Sequence, residues 1–200
     1  NIQKVQNRGR ASEIGNTPEI YKNVHLLEWK SPRGMYQDYI GGQALKSSSM
    51  EKIPGSRDDP NQPTIIVFVN ADLFLLIEEQ FAVYISDLET YGGYSTIVYT
   101  VSDGTAEELK NAILTEWNQG YNVVGAILIG DLPAAWFFHQ WDFFGSDEFP
   151  CDLFLMDLDG LWIDVNQDGM YESHTNGSGD TAPEIFVGRI DASDLSDESL

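Results

Sequence analysis

The sequence predicts an α/β protein built on a doubly wound, mostly parallel sheet with helices on both faces, an acidic loop inserted late in the chain and an irregular N-terminal extension. Three apolar runs, at 64–69, 95–101 and 123–129, are rich in β-branched residues and read as strands buried on both faces. The two segments between them carry apolar residues at helical spacing. Strand–helix–strand–helix–strand with short turns winds into a parallel, right-handed sheet. Finally, seven acidic side chains and no Lys or Arg lie between Asp152 and Asp180, which marks that stretch as a loop with its own electrostatic problem.

Residues 1–62 show weak periodicity and are interrupted by Gly, Ser and Pro, so they are expected to form an extension or linker packed on a body spanning 63–200. His25 and Trp29 in this segment read as packing residues. The body begins with the run TIIVFV at 64–69. Asp72 is the expected N-cap of the first helix, in which Leu73, Ile77, Phe81, Ile85 and Leu88 recur on one face before Gly92-Gly93 ends it. The run STIVYTV at 95–101 follows. Thr105 with Glu108 three residues later forms a capping box for a helix that runs through Trp117 and stops at Gly120. The third strand, 123–129, ends in Gly130-Asp131.

Between 131 and 145 the chain is crowded with aromatic side chains: Trp136, Phe137, Phe138, Trp141, Phe143 and Phe144. As a loop this is either an exposed contact patch or satellite core. His139, among these rings, reads as a packing or hydrogen-bonding residue, because no nucleophile pairs with it. Residues 152–156 and 184–190 read as two further strands bracketing the acidic loop. Cys151, the single cysteine, permits no internal disulfide. It reads as a small buried hydrophobe, since the carboxylates around it raise a thiol pKa. The last ten residues resemble the first turn of a helix, from which the natural chain is expected to continue past Leu200.

The chemistry concentrates in loop 157–180. Asp164, Asn166, Asp168 and Gly169 follow the D-x-N-x-D-G pattern of a calcium loop, in which oxygen ligands at alternate positions converge on a hard cation and glycine makes the sharp turn. Met170 would offer its backbone carbonyl. The twelfth position is Thr175, which cannot supply a bidentate carboxylate, and the preceding Leu161-Trp162-Ile163 is strand-like, so this is not an EF-hand. The remaining ligand is left to Glu172, Asp157, Asp159 or Asp180. Like charges so close would repel one another without a cation among them. A loop of this kind needs millimolar Ca²⁺, which points to a secreted or cell-surface protein.

Charge narrows the partners. Residues 1–60 hold nine basic and seven acidic side chains, whereas 61–200 hold two basic residues, Lys110 and Arg189, against 25 acidic ones. Such a field argues against nucleic acid or an anionic membrane and favours cations and basic ligands. No run approaches the length of a membrane span. No G-x-G-x-x-G or P-loop follows any strand, which argues against a nucleotide. Asp72 and Asp131, at strand carboxyl ends, offer a weaker small-ligand reading.

Three motifs in order carry a family resemblance. Ala126-Ile127-Leu128-Ile129-Gly130-Asp131-Leu132-Pro133, then Cys151-Asp152-Leu153-Phe154, then Glu184-Ile185-Phe186-Val187-Gly188-Arg189-Ile190 resemble the first α/β subdomain of gingipain-type cysteine peptidases, over residues 64–200. The resemblance implies a secreted endopeptidase whose His/Cys dyad lies in a downstream catalytic subdomain, because neither the Gly-His-Gly nor the Ala-Cys motif occurs here. This chain would then be the scaffold and calcium-binding part, inactive alone. Asp152 matches the family's S1-pocket aspartate, which implies contact with a basic side chain of a protein or peptide substrate. The other reading from the residues is a non-catalytic extracellular calcium-binding module for adhesion or surface display, with the aromatic loop as its contact patch.

Overall fold

The computed structural model describes residues 35–42, 48–53, 61–142 and 145–190, without the side chains of Gly42, Trp141, Asp142 and Gly145. His25, Trp29, Phe143, Phe144 and the expected helix start after residue 190 lie outside the described residues. One compact unit spans Gly34–Leu200. The expected boundary at 62/63 therefore falls inside it.

The fold is mixed α/β around a five-stranded sheet. Strand β1 (Ser49–Lys52) comes from the supposed extension; β2 (Pro63–Asn70), β3 (Ser95–Ser102), β4 (Asn122–Ile129) and β10 (Phe186–Ile190) complete the order β1-β3-β2-β4-β10. β2, β3, β4 and β10 are mutually parallel, and β1 joins β3 antiparallel, Met50 opposite Val101. β2 sits at the centre because its side chains are apolar in both directions. Ile65, Val67 and Val69 face one core, and Ile66 and Phe68 face the other.

Each core is closed by one helix. α2 (Ala71–Thr90) lays Phe81, Leu73, Phe74 and Ile77 on the Ile65/Val67/Val69 face. α3 (Ala106–Asn118) lays Leu109 and Ile113 on the Ile66/Phe68 face. Burying each such side chain contributes roughly 1.5–3 kcal/mol, so the pattern of apolar residues in β2 alone goes far to dictate a covered sheet. The capping box at Thr105 and Glu108 forms as expected. The N-cap of α2 is Asn70, not Asp72: its side chain accepts from the amides of Asp72 and Leu73 at 3.0 Å. Asparagine at the strand end satisfies the free amides, and Asp72 is left in the first turn, where its charge suits the helix dipole.

Two expectations for the second half are corrected. The aromatic stretch is not a loop: β5 (Trp136–Asp142) and β6 (Gly145–Pro150) form a hairpin, with β8 (Met170–Tyr171) parallel to β5. Residues 152–156 are not a strand. Leu153–Met156 forms one helical turn, α4, because Phe154 and Leu155 both have to reach the α3-side core from adjacent positions. A strand would send them to opposite faces. β7 (Leu161–Ile163) pairs antiparallel with β9 (Ser173–Thr175), which closes the acidic loop at its base. A seven-residue helix, α1 (Tyr36–Gly42), packs Tyr36 and Tyr39 with Trp136 and Met170. Among the described residues no helix is long and apolar enough to cross a membrane.

Candidate metal centre

The β7–β9 pair holds the two ends of a turn whose carboxylates must fold inward. Asp164 does most of the stitching. Its Oδ1 accepts from the amides of Gln167 at 2.7 Å and Asp168 at 3.2 Å, and its Oδ2 accepts from Gly169 at 2.9 Å. Asn166 Oδ1 accepts from the Asp168 amide and Asp168 Oδ1 from the Met170 amide, each at 2.9 Å. Glu172 reaches back to accept from the Val165 amide at 2.7 Å. Gln167 and Gly169 take positive φ, 62° and 93°. At Gly169 a β-carbon would also overlap the hydroxyl of Tyr36, so glycine is required there by backbone and by space.

The acidic residues that the sequence pools into one ligand set separate into two. Asp164, Asp168 and Glu172 each offer an oxygen within 4.8 Å of the others, and Asp157, Asp159 and Glu184 do the same elsewhere. Glu172 is thus the carboxylate brought to the D-x-N-x-D-G turn. Asn166 touches that group through its amide, which donates to Asp168 Oδ2 at 2.9 Å. Met170 is tied in by its backbone amide, while its side chain packs against Tyr36 and Trp136. Asp180 belongs to neither group; it is exposed and accepts from the Ala182 amide at 2.7 Å.

The second group has a lysine and a histidine beside it. The Asp157 side chain is fully buried, accepts from the amides of Asp159 at 3.1 Å and Gly160 at 2.7 Å, and meets His174 Nε2. Burial by itself would raise the Asp157 pKa, but these hydrogen bonds and the histidine outweigh it and hold the carboxyl below its usual value. The His174 ring stacks on Trp162 at 4.1 Å. Glu184 accepts from the Leu158 amide at 2.6 Å. Lys110, buried on α3 with its ammonium 4.5 Å from the centre of the Phe154 ring, lies in the field of all three carboxylates. Burial lowers its pKa and the carboxylates pull it back. Asp159 Oδ1 is buried with no hydrogen-bond partner among the described residues.

The first group differs in the one respect that matters for a metal. Among the described residues no Lys, Arg or His nitrogen forms an ion pair with Asp164, Asp168 or Glu172. Three carboxylates with only oxygen donors and no protein cation suit a hard divalent ion, which would supply the missing positive charge. A metal ion is therefore compatible with either cluster, and the Asp164 turn is the one without an internal substitute.

Other predicted site residues are placed elsewhere. Asp152 is one-third exposed and gripped by Arg189, whose Nε lies 2.8 Å from Oδ2 and whose second terminal nitrogen lies 2.9 Å from Oδ1. The same guanidinium donates to the carbonyls of Leu132 at 2.9 Å and Pro133 at 2.8 Å. The Cys151 thiol is pushed up, first by burial and also by Asp152, although amides of Leu153 and Phe154 act the other way. No hydrogen bond among the described residues joins it to a histidine, and His139 is exposed. The Asp131 carbonyl accepts from the Asn70 side chain at 3.1 Å; its carboxylate is not brought to Asp72 by any hydrogen bond among the described residues.

Sequence reasoning missed Glu184, Lys110, His174 and Tyr36. A signal existed for Lys110: it and Arg189 are the two basic residues among 25 acidic ones in 61–200, and each is set beside carboxylates. Nothing local marked Glu184, Tyr36 or His174, which are brought in by the segment just before β10, by α1 and by β9. No model of a known protein family matches the chain, and no curated protein or solved structure matches it either.

Proposed function

We propose that this chain is a Ca²⁺-stabilised extracellular α/β module, with the ion held by Asp164, Asp168 and Glu172 and the turn completed by Asn166 and the Met170 carbonyl. The observation that carries this reading is the Asp164 turn itself: three carboxylates within one ligand shell, stitched by backbone amides and without a protein cation. Ca²⁺ suits it better than Mg²⁺, which demands a tighter octahedron, or Zn²⁺, which prefers nitrogen and sulfur donors. Asp157 and Asp159 are assigned to the neighbouring cluster, where Lys110 lies in their field and His174 meets Asp157. In this reading the sheet is doubly wound, consistent with α2 and α3 covering opposite faces.

The larger role follows from the gingipain-type resemblance. The module would be the N-terminal scaffold of a secreted cysteine endopeptidase, partnered by a downstream catalytic subdomain and acting on protein or peptide with a basic side chain. Asp152 would contribute to that pocket only by sharing its carboxylate with Arg189. The raised thiol of Cys151 fits the expectation that the nucleophile is not in this chain. It favours equally the second reading, a non-catalytic calcium-binding adhesion or surface module.

Calorimetric titration of the chelator-stripped chain with CaCl₂ tests the metal. One site per chain that is lost in Asp164→Ala supports it; no heat, or binding unchanged in that variant, removes it. Peptidase activity with basic-residue substrates, appearing only when downstream sequence is restored, separates the enzyme from the adhesion module.

A further inference from the structure

We infer that the α2 side of β4 and β10 is a docking groove for a basic amphipathic helix of a partner protein. A parallel sheet ordinarily has both faces covered by helices. Here α2 packs on β2 and β3, and the helices that pack on β4 and β10, α3 and α4, lie on the opposite side. Val187 joins the α3-side core, so Phe186, Gly188 and Ile190 point to the α2 side. There Phe186 and Ile190 are 44% and 50% exposed. At Gly188 a β-carbon would meet nothing within 4 Å. In β4, Ala126 and Leu128 are fully buried on the α3 side, whereas Ile127 between them is only partly buried.

α2 supplies the wall of this groove. Its Leu73 side chain lies in the space that a β-carbon on Gly130, just past the end of β4, would enter. From Leu73, the positions Leu76, Gln80, Val83 and Asp87 recur at helical spacing, which keeps them on the same flank. Leu76 is 81% exposed and Val83 61%. Apolar side chains left open and rimmed by polar ones mark an interaction site. Charge names the occupant. α2 carries Asp72, Glu78, Glu79, Asp87 and Glu89 and no basic residue. The two basic side chains of 61–200 are turned away from it: Lys110 is on α3, and Arg189, in register with Leu128, grips Asp152. A second copy would set a net charge of −21 against itself. Residues 191–200 would bring four more carboxylates, those of Asp191, Asp194, Asp197 and Glu198. A helix with leucines on one face and Lys or Arg along its rim matches both the apolar floor and the acidic wall.

Fluorescence anisotropy of the full chain with a labelled Leu/Lys amphipathic peptide of about 18 residues, long enough to form a helix, reads the docking. The peptide should bind. The double change Leu76→Ser with Val83→Ser, and separately Ile190→Ser, should each weaken binding about tenfold, as loss of an apolar anchor does. A Leu/Glu peptide of the same pattern should not bind. Binding left unchanged by the groove variants would be adherence to the acidic surface at large and would overturn the site. Equal binding of the Leu/Glu peptide would overturn the basic partner, and no binding of either would overturn the groove. A dimer in sedimentation equilibrium that dissociates in the double variant would replace the partner by a second copy. Should that variant fail to fold, hydrogen–deuterium exchange of the wild type with the Leu/Lys peptide decides: slower exchange at 73–87 and 186–190 supports the groove, and slowing confined to other segments overturns it.

Discussion

Arg189 closes a two-pronged grip on Asp152, with nitrogen–oxygen distances of 2.8 and 2.9 Å, and also donates to the Leu132 and Pro133 carbonyls. One guanidinium at the end of β10 thus ties α4 to the segment leaving β4. Where the resemblance would have Asp152 receive a substrate's basic side chain, this chain already supplies one from within.

Arg189→Met should therefore destabilise the fold by about 1.5–3 kcal/mol, the usual contribution of hydrogen bonds to charged groups. Urea unfolding would show it as a lower midpoint with an unchanged slope. Asp152→Asn should cost less, because the side chain is one-third exposed and its amide still accepts one bond. Equal stability of wild type and Arg189→Met would show that the grip is ornamental.

Within the Asp164 turn the ligands should not be equivalent. Asp164 accepts three backbone amides and, in the proposed Ca²⁺ site, would also face the ion, so Asp164→Ala should abolish the Ca²⁺-dependent rise in melting temperature. Asn166→Ala should only reduce it. At a free Ca²⁺ concentration about a hundred times the Kd the wild type should gain roughly 2.7 kcal/mol over chelator. Differential scanning calorimetry at matched ionic strength distinguishes this from general screening, for which Mg²⁺ would serve as well as Ca²⁺.

Asp157 should shape the acid limb of stability. Its folded pKa lies below its ordinary value of 3.8, so the unfolded chain binds its proton more readily. The stabilisation it contributes is complete above the unfolded pKa and is lost as pH falls through the folded one. Asp157→Asn should flatten the fall in unfolding free energy below about pH 4, while lowering stability at neutral pH. An acid limb unchanged in slope would argue against the His174 and Gly160 contacts.

Two glycines should respond oppositely to a methyl group. At Gly177 a β-carbon would run into the backbone of Asp159, Gly160 and Leu161, none of which can turn aside. Gly177→Ala should cost about 1–3 kcal/mol, as overpacking does. At Gly188 nothing lies within 4 Å, and alanine in that strand should be neutral or mildly stabilising. Thermal melts of the two variants side by side check the contrast.

The central strands, both long helices and the Thr105 cap were legible because short-range rules govern them. An apolar run such as 64–69 has no stable place except inside a sheet, and the spacing of Phe81 or Ile113 admits one buried face. The Asp164 turn was legible for the same reason: its carboxylates lie within nine residues, 164–172, and their hydrogen bonds are local. The strand assigned to 152–156 failed because Phe154 and Leu155 answer to a core assembled by distant segments.

Composition and pattern by themselves determined a covered, mostly parallel sheet carrying an acidic turn that could hold a metal ion. Only the tertiary structure decided that the carboxylates divide into two clusters, because Glu184 arrives on the segment just before β10 and Lys110 on α3, from opposite sides in sequence. It alone decided that Asp152 is paired with Arg189 and that Tyr36 covers Gly169. Coulomb interaction and packing act through distance in space, and no local pattern encodes which remote side chain will come within 4 Å.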